Sequence, residues 1–122
     1  MPIDYRIEPG PRIVRTTASG VLTEAETLDL YARMKNDPQF QPDYRQLCDL
    51  QEVTGINTST QFLQALAQIS IFSRQSRRAF VASGDLTFGL ARMLQAYCEQ
   101  EGRQVGVFRS LDAAEQWLDR TG

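Results

Sequence analysis

The chain predicts an α/β domain with a mixed five-stranded sheet and four helices, in the order β-β-α-β-α-β-α-β-α. Three observations carry this. Two strand-like runs open the chain and are separated only by Pro9-Gly10-Pro11. Short apolar runs then alternate with segments of helical period, the mark of a sheet with crossover helices. The 122 residues show no repeat, linker or low-complexity tract, so residues 1–122 read as a single domain of ordinary size.

In the first strand, Ile3, Tyr5 and Ile7 alternate with Asp4, Arg6 and Glu8. Period two marks a half-buried strand. Arg12 to Ala18 resumes with Ile13, Val14 and two threonines, and Gly20 closes it. The short turn makes the pair an antiparallel hairpin. Thr23-Glu24-Ala25-Glu26 fits a capping box, in which the threonine and the fourth residue satisfy each other's free N–H groups. The helix it opens runs to about Asn36, with Leu28, Tyr31 and Ala32 on one face, before Asp37-Pro38 ends it. Gln46 to Leu50 is the third strand. A second helix is expected from about Thr60 to Phe72, with Phe62, Leu66 and Ile69 in one stripe.

Arg77-Arg78-Ala79-Phe80-Val81-Ala82 reads as a strand buried on both faces. Ser83-Gly84-Asp85 offers a turn and an N-cap. The third helix runs to about Glu101 with Leu86, Leu90, Met93, Leu94 and Tyr97 inward, and Gly102 stops it. Gln104 to Arg109 is the last strand, and Ser110 caps a final helix carrying Leu111, Ala114, Trp117 and Leu118. The hairpin followed by crossovers implies a sheet that is parallel after its first pair.

Composition narrows the function classes. Hydrophobic residues make up 42% and charged residues 23%, as in ordinary globular domains. The net charge of −2 gives no electrostatic footprint for nucleic acid. No apolar stretch approaches the ~20 residues of a membrane span. The start of the chain lacks the pattern of a signal peptide, so the cytoplasm is the expected compartment. Histidine is absent. This removes the commonest general base and metal ligand, and with them Ser-His-Asp and Cys-His chemistry within one chain. Cys48 and Cys98 read as two reduced thiols, since no C-x-x-C or other ligand cluster accompanies them.

The run Asp49-Leu50-Gln51-Glu52-Val53-Thr54-Gly55-Ile56-Asn57-Thr58-Ser59-Thr60 reads as a buried strand, a polar turn and a helix start. It resembles, without a gap, the D-L-S-x-V-x-x-I-D-S-S-G signature of STAS domains, the fold of the bacterial anti-sigma-factor antagonist SpoIIAA. The element order agrees along essentially the whole chain. The first strand pair and Ser110-Leu111-Asp112-Ala113-Ala114-Glu115-Gln116-Trp117-Leu118 also resemble a broad set of bacterial SpoIIAA-like proteins. The resemblance implies a non-catalytic regulatory or protein-interaction domain in signalling, acting on a protein partner or on a second copy as a homodimer. It aligns Ser59 with the serine phosphorylated in SpoIIAA-type domains, with Thr58 and Asn57 beside it. The pattern departs at Asn57, where the family has Asp, and at Thr60, where it has Gly.

Two readings of this segment stand side by side. A helix start suits a phosphate, through its free N–H groups and positive dipole end. Thr58-Ser59-Thr60-Gln61 is equally a capping box with Thr58 as N-cap. Arg74, Arg77 and Arg78 form a candidate anion-binding cluster, since arginine pairs with phosphate and carboxylate in bidentate fashion. They read equally as a solvated loop, and Arg103 and Arg109 are candidates for the same surface. Asp49 and Glu52 fit a structural role at a strand end better than acid/base catalysis. Gly89, inside a helix, points to close packing on the sheet or on another subunit. Tyr97 and Trp117 read as core, or as lining of a ligand pocket. No nucleophile–base pair, metal set or cofactor loop is present, so neither an enzyme nor a cofactor is expected. The alternative is a small apolar-ligand, lipid-like binder resembling Sec14-type domains, with its pocket under the loop from Phe40 to Tyr44.

Overall fold

The computed structural model describes residues 3–68 and 70–120. The chain forms β1 (Ile3–Glu8), β2 (Ile13–Thr23), α1 (Glu24–Lys35), β3 (Arg45–Asn57), α2 (Thr60–Gln68), β4 (Arg77–Val81), α3 (Asp85–Gln100), β5 (Gln104–Phe108) and α4 (Leu111–Asp119). Five strands lie in one sheet in sequence order, β1-β2-β3-β4-β5. β1 and β2 are antiparallel, and every later pair is parallel. This is the expected mixed sheet and the expected element order.

The helices divide between the two faces. Leu30 and Met34 of α1, Leu63 and Ala67 of α2, and Ala91 and Leu94 of α3 share one core with Val14, Cys48, Leu50 and Phe80 of the sheet. α4 packs alone on the other face, where Ala114 and Leu118 meet Ile13, Leu47, Ala79 and Val81. β4 is buried on both faces, as its apolar run predicts.

Local signals explain most ends. The Thr23–Glu26 capping box forms as read, with the Glu26 N–H donating to Thr23 Oγ1 (3.2 Å) and the Thr23 N–H donating to Glu26 Oε1 (3.1 Å). Ser110 Oγ accepts from the Ala113 N–H and starts α4. Gly102, with φ +73°, takes the left-handed turn that ends α3.

Several expectations are corrected. Gly20 does not close β2. It has φ +70° and sits at a shift in the β2–β3 register, and the strand continues to Thr23. A bulge here needs a left-handed residue, which glycine supplies without strain. β3 likewise runs past Leu50 to Asn57, so the supposed polar turn is strand, paired with the far half of β2. On α1 the buried residues are Leu30 and Met34, while Leu28 and Ala32 face solvent. On α3 the buried residues are Thr87, Ala91, Leu94 and Cys98, and Leu86 is 69% exposed. Gly84 rather than a side chain caps α3. α2 ends at Gln68, and Ser70 to Phe72 are not helical. Ile69, expected to extend its apolar stripe, lies outside the described residues. Gly89 is exposed with nothing within 4 Å of where a Cβ would sit, so it does not pack on the sheet.

Candidate functional site

α1, α2 and α3 enclose an apolar pocket of about 90 Å³ against the sheet. Leu30 of α1, Phe62, Leu63 and Leu66 of α2, Leu90, Ala91 and Leu94 of α3, and Cys48, Leu50 and Phe80 of the strands form its walls. Its polar groups gather at two places. Glu24, Thr23, Thr27 and Thr58 stand where α1 and α2 begin. Tyr31 stands about two turns further along α1, roughly 10 Å away at 1.5 Å per residue, together with Gln46 of β3. No residue of the Phe40–Tyr44 loop lines this pocket. That loop is packed shut instead, with Phe40 edge-on to Phe72 at 5.3 Å and Tyr44 buried.

Arg78 lies behind Tyr31 and Gln46. It is 4% exposed. Its Nε donates to Gln46 Oε1 (2.9 Å) and its Nη2 donates to the Tyr31 hydroxyl (2.8 Å). The guanidinium lies 4.7 Å from the Phe72 ring centre and 5.5 Å from that of Phe80. Gln46, also buried, is held in turn by donating from Nε2 to Thr16 Oγ1 (3.2 Å). None of the ion pairs among the described residues involves Arg78. Burying a charge without a counter-ion costs several kcal/mol, and neutral acceptors and aromatic faces offset only part of that.

The three arginines of the sequence cluster therefore do not form one anion site. Arg78 points into the helix-covered core. Arg77 points to the opposite face, stacks 4.2 Å over Trp117 and donates to the Arg120 carbonyl. Arg74 donates from Nε to the Glu101 carbonyl (2.8 Å). Arg103 joins Arg74 at that end and holds the end of α2, donating to the carbonyls of Ala67 (3.0 Å) and Phe72 (2.8 Å). Burial, and next the Arg74 and Arg78 charges, lower the Arg103 pKa from its ordinary value. Arg109 is at the other end, paired with Asp85 at 2.9 Å.

The start of α2 also differs from the expected capping box. Ser59, not Thr58, is the N-cap: its Oγ accepts from the Phe62 N–H (3.1 Å) and its carbonyl accepts from the Leu63 N–H (3.2 Å). Thr58 and Ser59 turn toward Glu24. One oxygen of that carboxylate accepts from the Ser59 N–H (3.0 Å), the Ser59 hydroxyl (3.3 Å) and the Thr58 hydroxyl (3.3 Å). Glu24 thus fills the anion position at this helix start and ties α1 to α2 at the rim of the pocket. Asn57 is exposed and ends β3 opposite Thr23.

The remaining candidates are structural. Cys48 and Cys98 are free, buried thiols. Burial pushes the Cys48 thiol up to about 11 and raises Cys98 in the same direction. Both therefore stay protonated and unreactive near neutral pH. Asp49 accepts from the Gln51 N–H (3.0 Å) and forms no pair with Glu52, which is exposed. Trp117 packs with Phe108 on the α4 face, so it shares no pocket with Tyr97. Among the described residues no group of three acidic, cysteine or histidine side chains could hold a metal, and no helix is long and apolar enough to cross a membrane. Sequence reasoning missed Glu24 and Tyr31 as site residues. The one signal was their seven-residue spacing on α1, which puts both on a single side of the helix.

No protein-family model and no curated protein matches the chain. Among solved structures it is similar to an uncharacterized protein of the DUF3478 family with a SpoIIAA-like fold, from Shewanella loihica PV-4. The likeness covers 95% of this chain and 93% of that one, with a TM-score of 0.62 and 20% identity. The fold is SpoIIAA-like.

Proposed function

We propose that this chain is a non-catalytic binding domain that holds a small apolar molecule between α1, α2, α3 and the sheet. The observation that carries the reading is the pocket itself, walled almost wholly by apolar side chains of the main core. A dry apolar cavity of about 150 Å³ takes a benzene ring, and ligand pockets usually measure roughly 300–1,000 Å³. At about 90 Å³ the pocket is narrower than its ligand, so binding requires α2 to move outward. α2 suits that role. It has nine residues, fewer than the ~12–15 at which an isolated helix becomes even marginally stable.

A switch by phosphorylation at Ser59 has weaker support. A phosphate there meets the Glu24 carboxylate, already 3.3 Å from the Ser59 hydroxyl oxygen, and like charges at that range repel.

The test is an NMR titration with octanol, comparing the native chain with Ala91→Leu. Ala91 is buried on the pocket wall, and the added carbons enter the empty space. Octanol is expected to shift resonances of Leu30, Leu63 and Leu94, and Ala91→Leu to weaken binding at least about tenfold while the fold persists. Equal binding by both proteins, or shifts confined to other surfaces, overturns the reading.

A further inference from the structure

We propose that the pocket selects an apolar molecule ending in a single carboxylate, with the acid seated against Tyr31 and its charge balanced by Arg78. The inference rests on the pocket reading above and names the class of ligand.

Four observations support it. First, Arg78 is a buried cation with no carboxylate partner among the described residues. A group so placed gains most from an anion arriving in the low-dielectric space beside it.

Second, Tyr31 is positioned to transmit that charge. Its oxygen accepts from Arg78 Nη2, the Gln46 side chain lies within hydrogen-bonding reach of it, and the hydroxyl is the donor in none of the hydrogen bonds among the described residues. A phenol that accepts from a guanidinium becomes a stronger donor, because hydrogen bonds in a chain polarise one another. Tyr31 and Gln46 both line the pocket and both contact Arg78. The side chains next to the guanidinium are otherwise neutral: Cys48 and Cys98 are held as thiols by burial.

Third, the field along the pocket has a direction. Glu24 places a negative charge at the rim, two helical turns from Tyr31. An amphiphilic acid is repelled there and attracted at the Arg78 end, so it sits acid inward with its tail against Phe62 and Leu66.

Fourth, the charge count fits a monoanion. Arg103, close enough to feel the Arg78 charge, is committed to the carbonyls of Ala67 and Phe72. A phosphate ester would bring a second charge and a bulkier head, and among the described residues Arg78 is the only buried cation.

The experiment measures octanoate and octanol binding by calorimetry at neutral pH, for the native chain and for Tyr31→Phe. Tyr31→Phe removes the hydroxyl that donates to the acid, at the cost of one acceptor for Arg78 Nη2, and keeps both the ring and the buried guanidinium, so it disturbs the core less than replacing Arg78 does; thermal unfolding of the variant checks that its fold persists. A hydrogen bond to a charged group corresponds to about 10- to 100-fold in affinity. Octanoate is expected to bind the native chain tighter than octanol by about that factor, and Tyr31→Phe to close most of the gap by weakening octanoate alone. If both ligands bind equally, or if Tyr31→Phe leaves the preference for octanoate intact, the carboxylate assignment fails while the pocket stands. If neither ligand binds, the pocket reading fails and this assignment falls with it.

Discussion

The Glu24 carboxylate stands 3.0 Å from the Ser59 backbone nitrogen, so the first residue of α1 holds the start of α2. One negative charge lies at the positive ends of two helices, where it is favourable twice over. At the other end of α2, Arg103 grips the carbonyls of Ala67 and Phe72. The short helix over the pocket is thus pinned at both ends by side chains from elsewhere in the fold.

This makes Ser59 sensitive to charge rather than to size. Asp and Asn are comparable N-caps, so Ser59→Asp and Ser59→Asn should differ mainly through Glu24. We expect Ser59→Asp to be less stable by about 1 kcal/mol in low salt. The difference should shrink as salt is added and disappear in a Glu24→Gln background. Urea denaturation of the four combinations forms a double-mutant cycle. A gap that persists without Glu24 means that the carboxylate is not its source.

The pinning also sets where the molecule opens. Glu24→Gln weakens a charge-assisted contact, and Arg103→Met removes two bonds to carbonyls, each change costing about 1–2 kcal/mol. The effect should be local. Amide hydrogen exchange is expected to accelerate through α2, at Leu63 to Gln68, while β3 and β4 keep their protection. Uniform acceleration in the sheet would show that α2 does not open on its own.

Burial of the cysteines predicts an alkaline limit. Below the ordinary thiol value of 9.0, Cys48 is protonated in both the folded and the unfolded chain, and its contribution is fully present. Between 9.0 and about 11 the unfolded thiol ionises and the native one does not, so the unfolded state gains and stability falls as pH rises. Above the folded value the loss levels off, at about 2–3 kcal/mol for a shift of this size. Tyr31 is raised by burial as well and acts in the same direction. Denaturant unfolding followed from pH 8 to pH 11 should show this decline, and Cys48→Ala should flatten it whatever it does to stability at pH 8. An unchanged slope in that variant places the titration elsewhere.

The sequence makes some of this legible, and the reasons are physical. Thr23 and Glu26 announce α1 because a capping box is satisfied within four residues. Pro9-Gly10-Pro11 announces the hairpin for the same reason: the information is local. The inward face of α1 is not announced, because Leu28 and Leu30 are equally apolar and only the sheet decides between them. The length of β3 is hidden because Glu52, Thr54 and Asn57 look like a turn, although Glu52 and Thr54 alternate with buried Val53 and this half of β3 pairs with β2 alone, clear of β4. Arg78 is hidden most completely. An arginine between Arg77 and Ala79 looks solvated, and arginine is almost never fully buried. Only the tertiary fold brings its partners to it: the β3–β4 register sets Gln46 opposite Arg78, and α1, packed over β1 and β2, reaches it with Tyr31.

Two glycines carry opposite expectations. Gly20 has open space around it but φ +70°, so Gly20→Ala should cost about 1 kcal/mol through backbone strain alone, and Gly20→Asn less. Gly89 has open space and ordinary helical backbone in the middle of α3, with Leu86 and Met93 exposed on the same helix. Gly89→Ala should therefore stabilise the isolated chain by about 1 kcal/mol, since alanine loses less backbone freedom in a helix. Thermal unfolding at two protein concentrations checks both. If Gly89→Ala instead lowers the midpoint, and more so at high concentration, the open space over α3 belongs to a second molecule that needs it empty.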